Sequence, residues 1–234
     1  MRGLGRYYQV IVRCAGKADP VTGYFINIKR IDQAVTQTIL PYLQRLMTIT
    51  ESTAELPMGR LMRSMIQLLQ DPLDGSVVEL SLDLTPTYAL TIGSTLMNSV
   101  IIRQQYEFAA AHRLHTPKLS EQENRDLFGK CNNPSGHGHN YRLSVAVRTP
   151  IDDSGRITPV EDLAALIDKA VIQPLDHQHL NVDVPQFADL NPTVENITTV
   201  IYDLIKEPVQ QLGMQLDEVS VWETDRTVCT YRGV

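Results

Sequence analysis

The residues best able to do chemistry lie in the run Cys131-Asn-Asn-Pro-Ser-Gly-His137-Gly-His139-Asn-Tyr141. In an extended segment, residues two apart share a face, so His137 and His139 can grip one ion together. The flanking glycines let a metal and a substrate approach the backbone. A third ligand must come from another element, and His112, at the end of the preceding strand-like run, supplies it. Three imidazoles at about 2.0–2.1 Å from a zinc ion leave one coordination position open, as in a catalytic rather than a structural centre. A strand's buried face accounts for a lone histidine; Gly-His-Gly-His with another histidine nearby favours a metal. Cys131 lies in a polar loop six residues before a ligand, and a cation close by would favour its thiolate.

Asp176-His177 follows an apolar helical pattern and precedes Gln178-His179-Leu180-Asn181. It reads either as a carboxylate-held histidine that shuttles protons near neutral pH, or as a polar helix-end turn beside the negative end of the dipole. His179 reads as a turn residue and His115 as a loop residue. Glu223 ends an alternating strand in phase with Val219 and Val221, so its carboxylate faces the buried side and needs a partner. That partner is either an internal cation or a ligand presenting paired N–H donors. Cys14 and Cys229 read as packing residues.

These groups need strands and helices to hold them. Ile101 to Ala111 is strand-like, and Tyr141, Leu143, Val145 and Val147 alternate on one face. Pro150 to Pro159 is a polar turn region. Val160, Leu163, Ile167, Ala170 and Val171 recur at helical spacing. Thr193 can cap a helix through Ile197, Val200, Ile201 and Leu204, with Gly213 as its stop. Strands, then helices, then strands, without βαβ alternation, predict an α+β fold whose antiparallel sheet carries helices on one face.

The order of elements occurs twice. Gly3-Leu-Gly5-Arg-Tyr-Tyr8 aligns with Gly136-His-Gly138-His-Asn-Tyr141, and Asp19-Pro-Val-Thr-Gly23 with Asp152-Asp-Ser-Gly155. Ile28 and Ile31 match Val160 and Leu163, Pro41 matches Pro174, and Leu80 to Thr85 faces Val219 to Thr224. The alternative is two unrelated α+β segments of similar rhythm. All six histidines fall between residues 112 and 179. The counterparts of His137 and His139 are Leu4 and Arg6, those of Asp176 and His177 are Leu43 and Gln44, and that of Glu223 is Leu84. One copy carries the chemistry and the other the shape alone, giving units 1–97 and 98–234.

The bulk composition sets bounds. A formal charge of −6 argues against a non-specific hold on nucleic acid or anionic lipid, which need clustered cations. It leaves room for a local basic pocket and an anionic small substrate. Three cysteines without framework spacing fit a reducing compartment. The first residues lack a signal peptide's apolar core, and no run approaches the roughly 18 apolar residues of a spanning helix. The expectation is a soluble cytoplasmic protein.

Phe108-Ala-Ala-Ala-His112-Arg-Leu, Leu119-Ser120 with Glu123-Asn124, Gly129-Lys-Cys131 through Tyr141, Leu175-Asp176-His177, Pro192-Thr193-Val-Glu195-Asn196 and Glu223-Thr224 together resemble the 6-pyruvoyl tetrahydropterin synthase family. The likeness covers roughly residues 100–234. It implies the tunnelling fold, in which a four-stranded antiparallel sheet with two helices on one face assembles into barrels, with pockets between subunits. It implies zinc on His112, His137 and His139, and loss of triphosphate from 7,8-dihydroneopterin triphosphate with rearrangement of the side chain. Cys131 would act as the thiolate base, Asp176 and His177 as a second proton-transfer pair, and Glu223 as the acceptor for the pterin's ring N–H and amino group. Thr193 and Glu195 would line the pterin end. The sister activity, 6-carboxytetrahydropterin synthase of deazapurine biosynthesis, uses the same pocket, often with a shorter Cys-to-His spacing; here five residues intervene. A folate-precursor branch replaces the Cys with Glu, whereas this chain keeps Cys131. A scaffold that holds zinc or a pterin without turnover would be expected to have lost Cys131, Asp176 or Glu223. The first half reads as a degenerate second tunnelling-fold unit or an unrelated dimerisation segment. Two units per chain would let three chains supply the six units of a family hexamer.

Overall fold

Residues 8–49 and 56–233 are described by a computed structural model. The proposed counterpart of the histidine strand at Gly3–Arg6 lies outside them. The chain divides into two units, Met1–Ile102 with Arg148–Thr158, and Arg103–Val147 with Pro159–Val234.

In the first unit, β1 (Gln9–Cys14) precedes α1 (Ile28–Ala34), which starts where the Asn27 side chain accepts the Lys29 N–H. A π turn over Val35–Ile39 passes into α2 (Leu40–Ile49), followed by α3 (Met58–Gln70). β2 (Val77–Thr85) and β3 (Tyr88–Gly93) complete an antiparallel order β1-β2-β3. α3 buries Leu61, Met62, Met65, Ile66 and Leu69, a stripe at helical spacing, against sheet residues Leu80, Leu82, Leu90 and Ile92.

The second unit takes most of β4 (Ser99–His112), then α4 (Glu121–Phe128), closed by a capping box between Ser120 and Glu123. A 3-10 turn over Gly129–Asn132 leads to β5 (His137–Pro150). α5 (Val160–Ile167) continues through a π turn at Asp168–Ile172 into α6 (Gln173–Leu175). After β6 (Gln178–His179) and α7 (Leu180–Asp183) come α8 (Val194–Gln211), β7 (Gln215–Thr224) and β8 (Thr227–Tyr231). The strand order is β4-β5-β7-β8, with β6 lying parallel on β4. Tyr141, Leu143, Val145 and Val147 are all 0% exposed as expected, but Ser144 and Ala146 between them are buried too, so the middle of β5 is covered on both faces. Thr193 caps α8 by accepting the Asn196 N–H, and Gly213 at φ 76 follows its end.

The chain halves share local devices beyond their rhythm. α1 and α5 each run into a five-residue π turn, and Pro41 and Pro174 stand two residues beyond the two turns. Asp19 and Asp152 each fold a loop by accepting backbone N–H groups on the side chain, and each loop has a positive-φ glycine, Gly23 or Gly155. Across the closing hairpins, Ser81 bonds Thr91 at 2.7 Å and Ser220 bonds Thr230 at 2.8 Å. Both hairpins have a register irregularity just before a threonine, Thr85 or Thr224. No helix among the described residues is long and apolar enough to cross a membrane.

Candidate metal centre and active site

His112, the last residue of β4, is fully buried. Its Nδ1 lies 2.8 Å from the Pro192 carbonyl. A carbonyl only accepts, so Nδ1 carries the proton and Nε2 keeps its lone pair free for a ligand role. That Nε2 lies 3.1 Å from His137 Nε2. His137 and His139 open β5 with one residue between them, and one ring nitrogen from each of the three histidines falls within 4.8 Å of the other two. His137 Nδ1 and His139 Nε2 are buried without a hydrogen-bond partner. Buried polar atoms of that kind need an explanation, and a cation held by the three rings gives one for His139 Nε2, whereas His137 turns Nε2 and not Nδ1 toward His112. Burial pushes His112 down to about 4, and the nearby rings of His137, His139 and His179 push the same way against the Pro192 hydrogen bond. Burial, then His139, also lowers His137 against the opposing pull of Glu223. Histidines held neutral are ready ligands, because a metal does not have to displace protons from them. The residues fit a metal ion bound by imidazole.

Glu223, near the end of β7, turns its carboxylate toward this triangle. Its Oε1 lies 3.5 Å from His112 Nε2 and 3.7 Å from His139 Nε2. Cys131 sits partly exposed in the 3-10 turn. Burial, and then the charge of Glu223, push its thiol upward. The protein groups alone therefore favour the protonated thiol, and the expected thiolate depends on a positive charge that these residues do not supply.

Asp176 and His177 form a pair, with Asp176 Oδ2 2.8 Å from His177 Nδ1. The other Asp176 oxygen accepts the Ala109 N–H at 2.7 Å, and the His177 N–H donates to the Ala109 carbonyl at 2.6 Å. His177 takes a left-handed φ of 58°, which is uncommon outside glycine and is imposed here by those bonds to β4. The Ala109 N–H first, and His177 second, hold the Asp176 carboxyl below its ordinary range. The His177 side chain is 82% exposed, and the pair makes no hydrogen bond to Cys131 among the described residues. An open cavity of about 450 Å³ nevertheless has His139, His177 and His179 in its wall, so the metal-site histidine and the dyad border the same space.

A model of the 6-pyruvoyl tetrahydropterin synthase family matches residues 101–234. The chain belongs to that family. The human 6-pyruvoyl tetrahydrobiopterin synthase is 44% identical over 133 residues, which is 56% of this chain and 90% of the human protein. The Drosophila melanogaster protein of the same name is 42% identical over 127 residues, 54% of this chain and 75% of that protein. A solved 6-pyruvoyl tetrahydropterin synthase from Caenorhabditis elegans superposes with a TM-score of 0.55 at 34% identity, covering 58% of this chain and 96% of that one. The chain is an enzyme of the synthase family, and the match falls on the half that carries the histidines.

The remaining residues divide. Thr193 spends its hydroxyl on the α8 cap, one residue after the carbonyl that orients His112, and Glu195 is exposed in the first turn of α8. His179 is more than the turn residue read from the sequence. It lies in β6, and a Cβ on Gly136 would come 2.7 Å from its Nε2, so it backs the loop that delivers His137. The His177-Gln-His179 spacing repeats that of His137-Gly-His139, and it was the available signal.

Proposed function

We propose that this chain is a cytoplasmic zinc-dependent lyase that converts 7,8-dihydroneopterin triphosphate to 6-pyruvoyl tetrahydropterin with elimination of triphosphate. The observation that carries the reading is the triangle of His112, His137 and His139 facing Glu223, inside the segment most similar to synthases of that name. A zinc ion on the three imidazoles would supply Lewis acidity to the side-chain oxygens and make the adjacent C–H more acidic. Cys131 Sγ takes the proton from that carbon. Asp176 holds His177 through Nδ1, which leaves the exposed Nε2 to exchange a proton at the neighbouring position. Glu223 accepts the ring N–H and amino group of the pterin as a bidentate contact; Thr193 and Glu195 border that end.

Incubation with dihydroneopterin triphosphate tests this. The expected products are triphosphate and 6-pyruvoyl tetrahydropterin, and Cys131→Ala abolishes both. Release of acetaldehyde would move the assignment to 6-carboxytetrahydropterin synthase, and absence of any altered pterin would leave a binding scaffold.

The first half is read as a second, degenerate tunnelling-fold unit, bounded by 1–97. The paired π turns, aspartate loops and Ser–Thr cross-strand bonds support common descent over an unrelated dimerisation segment. Three such chains would supply six units with three metal sites.

A further inference from the structure

β4 ends at His112, yet the next four residues do not leave their backbone polar groups to solvent. The Asn181 side chain takes both groups of Arg113, accepting its N–H at 2.8 Å and donating to its carbonyl at 3.0 Å. Asn191 accepts the His115 N–H at 3.1 Å, and Asn124 accepts the Thr116 N–H at 2.8 Å and donates to the Thr116 carbonyl at 2.9 Å. Between these, Leu114 is tied to the turn that holds the thiol. Its N–H donates to the Cys131 carbonyl at 2.8 Å, and its own carbonyl accepts from Asn132 Nδ2 at 2.8 Å. Arg113 Nε donates to the Asn132 carbonyl at 3.1 Å, and Asn132 Nδ2 also lies 3.1 Å from His115 Nδ1. Asn132 is only 5% exposed. Asparagine side chains thus replace the missing strand partner, and the segment they hold runs from a metal-site histidine to the reactive cysteine.

We propose that Asn132 is a positioning residue that fixes the Cys131 thiol relative to the His112-His137-His139 triangle. The inference rests on the lyase reading for its kinetic consequence, but the tether itself is a matter of geometry. The Asn132 amide supplies a donor that an aspartate of the same shape lacks, so Asn132→Asp would set two acceptors against each other at Leu114. Asn132→Ala removes the bond and leaves the turn held by the Leu114 N–H on the Cys131 carbonyl and by Arg113 Nε on the carbonyl of residue 132.

The test compares wild type, Asn132→Ala and Asn132→Asp with Asn124→Ala, which loosens the far end of the same segment. Steady-state kinetics with dihydroneopterin triphosphate, metal content, and iodoacetamide labelling of each cysteine by mass spectrometry are measured on the full chain. Both Asn132 variants are expected to lose about 10–100-fold in kcat, with KM within about twofold and metal content unchanged. The labelling rate of Cys131 should change at least about threefold, while Cys14 and Cys229 keep their rates. An unaltered kcat, a loss of metal in step with activity, an equal kcat loss in Asn124→Ala, or a common change at all three cysteines would overturn the proposal. Should the wild type release no triphosphate, the lyase reading falls, and the labelling comparison still decides the role of Asn132.

Discussion

Cys131 and Glu223 make opposing electrostatic demands. The carboxylate that would receive a pterin also pushes the thiol upward, and His112 and His137 are shifted toward the neutral form. On the lyase reading, a base at Cys131 therefore needs a cation beside it, and Cys131→Ala should keep about one zinc per chain by atomic emission while losing triphosphate release entirely. The clustering of His112, His137 and His139 was legible in the sequence, because residue type and spacing bring such side chains together. The partner of Glu223 was not, because a strand's phase tells which face a carboxylate points to but not what folds back over it. A second charged site is structural. Glu218, 12% exposed, carries Arg103 at 2.9 Å and Arg232 at 2.6 Å. Burial pushes its carboxyl up, but the two guanidinium groups win and hold it below the ordinary 4.5. The pairing therefore contributes fully above pH 4.5 and is lost as pH falls through the lower folded value. Glu218→Gln should cost about 1–2 kcal/mol near neutrality, discounted for the exposed arginines. In urea titrations, the gap from wild type should close as the pH is lowered past that range.

At the scale of elements, the alternation of β5 and the capped α8 were readable because each buries a periodic apolar face. Leu143→Ala, in the middle of β5 and 0% exposed, should cost about 2–5 kcal/mol in chemical denaturation. The π turns were not readable: the apolar residues still recur three or four apart along each short stretch, and no residue type marks where a helical turn widens. β6 is two residues long, held by its neighbours and not by any propensity of its own, which is why His179 was taken for a turn. The glycine preceding His137 is a sharper test of the loop. Gly136 has φ 71, and a Cβ there would lie 2.7 Å from His179 Nε2 and 3.0 Å from the His112 carbonyl. Gly136→Ala should weaken metal retention about 10-fold or more by dialysis against chelator and lower the melting temperature.

For the whole molecule, the tandem reading makes a claim about mass and stoichiometry. Light scattering should give three chains of 26.3 kDa, or a multiple of three, with one metal per chain and not one per unit. A stable monomer would remove the assembly. The family fold of the second half followed from its motifs, whereas the first half offered pattern without chemistry; on the tandem reading, apolar substitution would erase ligands while leaving the periodicity that packs a sheet.

The two π turns also put events in order. Gaining a single residue inside a helix disturbs every contact beyond it, so acquiring one twice at matching places is improbable; on the tandem reading the insertion is older than the doubling. The ancestor was then a one-unit chain that already carried the widened turn. On the same reading, the silencing of the first copy came last, after the scaffold it inherited had been set.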